Sequence, residues 1–315
     1  MGDKWVWEEF VAPEAQEVRR EFLQHRIQVL ADDLGRDSDH LSQVGRTSHI
    51  DRAWFRGLGL KRMMIVRGAA ASLDSRKAVL IGDWAAAQWG MWFLRPSDML
   101  VRFALPSGHE PPKAARPPKT VFKSTQIPDG DIVTLDGIRV THPLRTYMDL
   151  CRMRQRTSAR LVVAWLMQRG VTADEISRYA ANFEGKIHTK RKRVAQWLPY
   201  RVVSLPQFEY SMAHALLDDA RVPLRTNCTL DDKGRATLLA GDDLIIRVGT
   251  DPLRQSLESS GEAKYAATLR HKDRWSAARG FRSLYFTPEE IEADPEGFVH
   301  EVLSLRYIRD NNLRF

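Results

Sequence analysis

The spacing of apolar residues in the first part of the chain predicts three helices followed by a β-strand. Four apolar side chains approximate the stripe of one helix face, and Gly35 is typical of a helix end: Val18, Phe22, Ile27 and Leu30. Shorter helical segments are predicted at 38–44 and 48–57, and "LKRMMIVRG" (60–68) is typical of a strand that ends at glycine. This order occurs in winged helix-turn-helix domains and in many other small α+β domains.

The clearest helical pattern lies between residues 141 and 183. In "THPLRTYMDLCRMR" we expect Thr141 to cap a helix and Pro143 to stand in its first turn. "SARLVVAWLMQRG" (158–170) predicts an apolar helix that ends at glycine. "TADE" (172–175) has the spacing of a capping box, Thr172 to Glu175, in front of a third helix.

From residue 206 onward the pattern alternates between helices and strands. A helix near 208–216 precedes "RATLLA" (235–240) and "LIIRV" (244–248), which predict a β-hairpin with Asp242 and Asp243 at its turn. A helix that ends at Gly280, the strand "RSLYF" (282–286) and a capped C-terminal helical segment follow. A sheet with helices packed on it predicts an α/β domain.

Positive charge is concentrated in the middle of the chain. The net charge is +8 overall, and residues 111–205 hold 18 Lys and Arg against 7 Asp and Glu, or +11. Residues 1–110 sum to 0 and residues 206–315 to −3. Together with the proline-rich segment 110–119, these shifts predict three domains, 1–109, 110–205 and 206–315.

The basic middle region favours a polyanion as partner, with nucleic acid as the first candidate. Its densest cluster follows the third helix of this region and consists of Lys190, Arg191, Lys192 and Arg193, with Arg201 shortly after. A solvated surface with scattered arginines is the alternative interpretation.

The sequence favours a cytoplasmic protein. The start "MGDKWVWEEF" lacks a basic region followed by an apolar run, so we expect no signal peptide. The longest apolar stretch, 78–94, is interrupted by Asp83 and Gln88, which favours a buried helix over a membrane span. Cys151 and Cys228 lie far apart without metal-ligand spacing, and we expect reduced thiols.

Several segments resemble a family of actinobacterial proteins grouped with AbiEi-type antitoxins of type IV toxin–antitoxin systems. The most specific is "GIRVTHPLRTYMDLCR" (137–152), which is similar to a family motif through Thr141, Pro143, Arg145, Thr146 and Asp149. "AVLIGDWAAAQWGM" (78–91) resembles a second family segment, and the resemblance covers roughly residues 45–305.

The resemblance implies an α/β and α+β multidomain fold. Residues 1–109 would form a winged-helix-like domain, 110–205 a largely helical middle, and 206–315 an α/β restriction-endonuclease-like domain similar to very-short-patch-repair endonucleases. It also implies a DNA-binding regulator that represses its own operon, without a cofactor, whose partner is a nucleotidyltransferase-like toxin. The expected DNA contacts, besides the basic cluster, lie where helix 48–57 would enter the groove: Arg52, Arg56, Lys61 and Arg62.

The nuclease-like part departs from the family at its metal-binding strand. The family carries Glu-x-Asp-Gly followed by His there, whereas "IIRVGTD" places Arg247 near the glutamate and Gly249 near the aspartate. Cleavage of a phosphodiester needs carboxylates that hold Mg²⁺, and an arginine would repel the cation. We therefore expect an inactive site. The alternative is an active PD-(D/E)xK-type endonuclease that uses Glu209, Asp242, Asp243, Glu262 and Lys264.

The family-like motif has two interpretations that the residues alone leave open. Arg145 and Asp149 stand four residues apart, as in a helix-surface ion pair worth about 0.3–0.5 kcal/mol. The motif would then pack the middle helices rather than contact a ligand. Phosphate-binding glycine loops and the common hydrolase and zinc-protease motifs are absent from the sequence.

Overall fold

The computed structural model describes residues 5–28, 38–75, 77–96, 98–106, 110–112, 116–153, 155–182, 208–231, 234–249 and 274–310. The chain forms two compact units, Met1–Tyr200 and Arg201–Phe315. Each unit contains its own sheet or sheets with helices packed on them. The protein is therefore a mixed α/β protein with more than one unit, as the sequence predicts.

The first unit begins with helix α1 and a three-stranded antiparallel sheet. After a 3₁₀ helix, Trp7–Phe10, come α1 (Pro13–His25), β1 (Ile27–Gln28), β2 (Leu41–Gln43) and β3 (Ser48–Asp51), with β3 between the other two strands. The helix expected at 38–44 is only a 3₁₀ turn, Ser38–His40, followed by β2. The helix expected at 48–57 is β3 followed by the short helix α2 (Arg52–Gly57).

The strand expected at 60–68 is wrong, because this segment belongs to helix α3 (Leu60–Asp74). The run from Met64 to Val66 and the alanines that follow Gly68 are all buried. A helix that is covered on nearly all sides has no polar face and so lacks the 3.6-residue periodicity that identifies surface helices. The expected order of three helices and a strand, on which the winged-helix interpretation depended, is not observed.

A five-stranded sheet forms the centre of the first unit. Its strands are β4 (Val79–Leu80), β5 (Val101–Leu105), β6 (Thr120–Ser124), β7 (Ile132–Leu135) and β8 (Ile138–Thr141), in the order β6-β5-β4-β8-β7. β5 and β6 pair in parallel, and β4 pairs with both β5 and β8. The boundary expected at residues 109 and 110 therefore falls inside one sheet, and the middle region is helical only after β8.

The apolar stretch 78–94 forms β4 and then helix α4 (Asp83–Trp89), every residue of which is buried. The helix ends at Gly90, whose φ of 70° is left-handed. The expectation of a buried helix is thus confirmed for α4, although the segment starts as a strand. No helix in the described ranges is long and apolar enough to cross a membrane.

Three helices follow the sheet, as the sequence predicts: α5 (Pro143–Arg152), α6 (Arg156–Gln168) and α7 (Ala173–Asn182). The capping box in front of α7 is confirmed, since Glu175 accepts from the Thr172 amide at 2.8 Å and Thr172 accepts from the Glu175 amide at 3.2 Å. Thr141 does not cap α5. With Pro143 as first helical residue the capping position is His142, and Thr141 still belongs to β8.

The second unit contains a four-stranded sheet in the order β12-β11-β10-β9. Its elements are α8 (Phe208–Asp219), β9 (Leu224–Asp231), β10 (Gly234–Ala240), β11 (Leu244–Val248), β12 (Arg282–Phe286), α9 (Pro288–Ala293) and α10 (Pro295–Asp310). The hairpin of β10 and β11 is confirmed, and so is the placement of "RSLYF" in the same sheet, where β12 runs parallel to β11. β9 is not apparent in the sequence pattern, because it is an edge strand without a fully buried side chain from Leu224 to Leu230.

The two cysteines are free thiols, as expected. Cys151 is buried on α5, and Cys228 is half-buried on β9. Burial raises the pKa of the Cys151 thiol to about 12. This cysteine is therefore protonated at neutral pH and is inert as a nucleophile.

Candidate functional site

The family-like motif lies at the centre of a buried polar cluster in the first unit. β8 ends at Thr141, and the chain turns directly into α5, which carries Arg145 and Asp149. The β7–β8 hairpin returns the chain tightly enough to pair Ile132 with Thr141. Its register also places Asp131, at the end of a 3₁₀ helix, beside the start of α5.

The cluster is held by a chain of charged hydrogen bonds that runs through Arg145. Its Nη1 donates to Asp131 Oδ2 at 2.8 Å, and its Nε donates to Asp149 Oδ1 at 3.3 Å. Arg152 Nη1 lies 3.5 Å from the same Asp149 oxygen. The Arg145 and Asp149 side chains are each 3% exposed, so the interpretation of this pair as a helix-surface ion pair is wrong.

Burial and the neighbouring charges shift the pKa values of these groups in opposite directions. Burial raises the pKa of Asp131, but the hydrogen bonds from His142 and Arg145 outweigh it and hold the pKa below its usual range. For Asp149 burial dominates and raises the pKa despite Arg145 and Arg152. Burial lowers the pKa of Arg145, yet the two carboxylates outweigh it and raise the pKa above its usual value. Arg145 is therefore a permanent cation between two acids.

His142 uses both ring nitrogens within the protein. Its Nδ1 accepts from the backbone amide of Arg145 at 3.2 Å, which leaves the ring hydrogen on Nε2 for Asp131 Oδ1, 3.1 Å away. The Trp7 ring stacks on the imidazole at 5.0 Å and 4°, and the Tyr179 ring meets it edge-on at 5.2 Å. An imidazole that is saturated and covered in this way positions its neighbours and has no nitrogen left for proton transfer to a substrate.

The remaining motif residues join the β8–α5 corner to α4. The hydroxyl groups of Thr141 and Thr146 lie 2.8 Å apart, and Trp89 Nε1 donates to the Thr141 carbonyl at 2.8 Å. Pro143 occupies the first helical position, where the absence of an N–H costs nothing. The structure thus brings all five motif residues together and buries them: Thr141, Pro143, Arg145, Thr146 and Asp149. Their contacts are those of a motif that packs the helices.

The four N-terminal cations expected to contact DNA lie around α2 and the start of α3. Arg52 donates through Nε and Nη2 to the Leu41 carbonyl at 3.2 and 2.9 Å, and therefore ties α2 to β2. Arg62 Nε lies 3.2 Å from Glu14 Oε1, with both side chains well exposed. Arg56 is exposed near the end of α2, and Lys61 lies in the first turn of α3. Arg52 and Arg62 therefore both contact other elements of the first unit, β2 and α1 respectively.

The carboxylates that the structure describes in the second unit do not converge. Asp243 Oδ2 accepts from Arg282 Nε at 3.0 Å, and Asp242, on the exposed side of the same turn, lies 3.4 Å from Arg225. Glu209 lies in the first turn of α8. Within the described ranges, no group of three or more His, Cys, Asp and Glu residues is arranged to hold a metal ion.

Arg247 lies on β11, at the position where the family resemblance implies a metal-binding glutamate. Its Nη2 donates to Ser276 Oγ at 3.3 Å, and its guanidinium lies 5.6 Å from the centre of the Tyr285 ring. A cation in this place on the sheet disfavours a divalent ion nearby. The arginine that stands in place of the expected glutamate therefore lies in the sheet itself rather than in a neighbouring loop.

Several predicted site residues lie outside the described residues. They are the basic cluster Lys190, Arg191, Lys192 and Arg193, together with Arg201, Glu262 and Lys264. The assignments of these residues stay predictions.

The partners that complete the polar cluster were not among the predicted site residues. His142 could have been found, because a proline at the first helical position makes the preceding residue the cap. Asp131 and Trp7 could not, because their contacts depend on a hairpin register and on packing between segments distant in sequence. This chain matches no protein-family model, and it matches no curated protein.

Proposed function

We propose that this chain is a non-enzymatic, DNA-binding transcriptional regulator or antitoxin of the AbiEi type. In this proposal the first unit binds DNA, and the second unit is a nuclease-like fold that has lost its catalytic metal site. The partner would be a nucleotidyltransferase-like toxin. The observation that carries the proposal is the placement of charge, with cations concentrated in residues 111–205 and arginines set against the carboxylates of the second unit.

Two features support DNA as the polyanion. The net charge of +11 in residues 111–205 gives a strong, sequence-independent attraction for phosphates. Arg56, Lys61 and Arg62 add cations around α2 and the start of α3, although the order of elements there differs from the one expected for a winged helix. We include this module, α1 to α3 with its three-stranded sheet, among the candidate DNA contacts.

The non-enzymatic part of the proposal is supported by the β10–β11 turn. Mg²⁺ needs carboxylate oxygens that are free to coordinate it. Asp243 instead accepts a hydrogen bond from Arg282. Arg247 adds a positive charge two residues before Gly249, the position where the resemblance implies an aspartate. A phosphodiester would meet cations here, which favours binding of the phosphate over metal-assisted attack on it.

The test replaces Lys190, Arg191, Lys192 and Arg193 together by alanine. If they contact phosphates, each contact releases counterions, and the slope of log K against log salt should flatten by roughly 2–4 units. Affinity should fall for every DNA sequence, because phosphate contacts do not read bases. The measurement is a fluorescence-anisotropy titration of a DNA duplex with the full chain at several salt concentrations.

Lys77→Ala is the control, since it removes one exposed cation outside the basic region. We expect it to leave the salt slope within about one unit of the parent value. An unchanged slope in the quadruple variant would show that the cluster is ordinary surface charge, and a chain that binds no duplex at low salt would refute DNA binding altogether.

A further inference from the structure

A fully buried carboxylate lies where strand β4 passes into helix α4. Asp83 is the first residue of α4, and its side chain is 0% exposed. Aspartate is among the residue types that are almost never fully buried without a partner. The described contacts of this side chain are with Arg102 and Gln155, neither of which belongs to the polar cluster around Arg145.

Both contacts of this carboxylate are made through its Oδ2 atom. Gln155 Nε2, from the residue that precedes α6, donates to Oδ2 at 2.7 Å. Arg102 Nη1, on β5, lies 3.5 Å from the same oxygen. Arg102 is held more closely by Asp98, because its Nη2 donates to both oxygens of that carboxylate at 2.8 Å. One cation therefore lies between a buried acid and an acid that is 44% exposed.

Three buried polar atoms of this group make no hydrogen bond with the described residues: Asp83 Oδ1, Arg102 Nη1 and Gln155 Oε1. Each belongs to Asp83 itself or to a side chain that contacts its Oδ2, so the three lie around one carboxylate. Buried polar atoms in folded proteins nearly always have a partner. Burial raises the pKa of Asp83 despite Gln155 and Arg102, because their contacts do not replace the hydration that the carboxylate loses.

The chemistry of these three atoms selects the kind of ligand that fits them. Two are acceptors, on a carboxylate and an amide, and the third is a guanidinium donor. A metal ion or an ammonium group would be repelled by Arg102, and an anion would be repelled by Asp83. A water molecule donates through both of its hydrogens and accepts through its oxygen, and about three hydrogen bonds are typical of a buried water.

We propose that Asp83, Arg102 and Gln155 form a binding site for one buried water molecule. The water accepts from Arg102 Nη1 and donates to Asp83 Oδ1 and to Gln155 Oε1. It thereby joins the start of α4, strand β5 and the residue before α6, three segments that are distant in sequence. The site lies within the first unit and does not depend on the proposed DNA binding.

The test combines Asp83→Leu with Gln155→Met, which replaces both acceptors by apolar side chains of similar size. An apolar cavity stays dry, so the double variant should bind about one water molecule fewer than the parent. Oxygen-17 relaxation dispersion measures the number of water molecules that tumble with the protein. Replacing both partners of a buried contact by apolar groups is nearly neutral for stability, and Arg102 keeps Asp98. Circular dichroism establishes that the variant folds.

Asp129→Leu is the matched control, since it makes the same change at an exposed carboxylate of the first unit. It should leave the number of bound water molecules unchanged. Equal numbers in the parent and in the double variant would overturn the proposal. Asp83 would then be protonated and would donate directly to Gln155, and its carboxylic-acid stretch would disappear from the infrared spectrum of Asp83→Asn.

A high-resolution crystal structure of the parent chain gives a second test that needs no variant. We expect a water oxygen within about 2.7–3.2 Å of Asp83 Oδ1, Arg102 Nη1 and Gln155 Oε1. Direct contact of Asp83 Oδ1 with Arg102 or Gln155, and no water between them, would overturn the proposal. DNA binding is measured separately, so either proposal can fail alone.

Discussion

At the residue scale, Arg145 is the group on which the polar cluster depends. It is the cation shared by Asp149, one turn further along α5, and by Asp131, which reaches it only through the β7–β8 hairpin. Removing one member of a buried ion pair leaves the other charge uncompensated, at a cost of about 3–5 kcal/mol. The motif therefore stabilises the β8–α5 corner because its cation and its two carboxylates compensate one another. Removing any one of these three charges should lower the free energy of unfolding.

Asp131→Asn tests this balance through its pH dependence. The folded chain holds the pKa of Asp131 below its usual range, so the contribution of this carboxylate is complete above the unfolded pKa of about 3.9. It is lost as pH falls through the lower, folded pKa. At pH 7 the variant should unfold with about 3 kcal/mol less free energy than the parent, and below about pH 4 this difference should shrink.

Urea unfolding followed by tryptophan fluorescence measures this difference, because eight of the nine tryptophans lie within residues 1–200. Asp129→Asn is the control, since Asp129 is exposed in the same 3₁₀ helix. A difference between Asp131→Asn and the parent that stays constant from pH 7 to pH 3 would contradict the assigned role of the Asp131 charge.

At the element scale, α3 shows why a buried helix is difficult to recognise in a sequence. The segment reads as a strand because its apolar residues are consecutive and a glycine seems to end them. In the structure Gly68 lies inside the helix at the crossing with α4, where an added Cβ would press on the Gln88 side chain. The glycine therefore marks a close approach of two helices rather than the end of an element.

Gly68→Ala should destabilise the chain although alanine is the better helix former. A Cβ at this position would lie 2.8 Å from Gln88 Nε2 and 3.4 Å from the Trp84 ring. The Gln88 amide cannot easily move, because it is buried and donates to the Ile65 carbonyl at 2.9 Å. We expect a net loss of about 1–2 kcal/mol, since overpacking exceeds the gain in propensity of about 1 kcal/mol.

Gly57→Ala is the matched substitution at the end of α2, where no atom lies within 4 Å of the added Cβ. It should leave the unfolding free energy unchanged or raise it by up to about 1 kcal/mol. Equal effects of the two substitutions in thermal unfolding would show that the α3–α4 contact does not exclude a methyl group.

At the scale of the whole molecule, the elements predicted correctly are mostly those set by neighbouring residues, and most of the distant pairings were not predicted. The β10–β11 hairpin and the Thr172–Glu175 box follow from neighbouring residues, so the sequence is sufficient to find them. The pairing of Leu80 with Val140 and the contact of Asp131 with Arg145 arise from the arrangement of the sheet. A two-residue strand such as β4 has no periodicity to detect, and the first two domains were therefore divided inside one sheet.

The separation of the described acidic residues in the second unit has a consequence for metal binding by residues 206–315. With Asp243 engaged by Arg282 and with Arg247 on β11, we expect no Mn²⁺ affinity stronger than millimolar and no Mg²⁺-dependent nicking of plasmid DNA. Calorimetry and a nicking assay on the full chain measure both. A micromolar site, or nicking that Glu262→Ala abolishes, would establish the active endonuclease instead.

The position of β4 in the middle of the first unit also affects how the chain is made. Its neighbour β8 is synthesised, and leaves the ribosome, only after α4, β5, β6 and β7. At about 5–20 residues per second, translation from Leu80 to Val140 takes roughly 3–12 s. Throughout that interval Trp84 and Trp89, which are fully buried in the finished protein, lack the strand and helix that cover them. The nascent chain therefore presents its most apolar segment to chaperones, and to other nascent chains, for seconds before its central sheet can close.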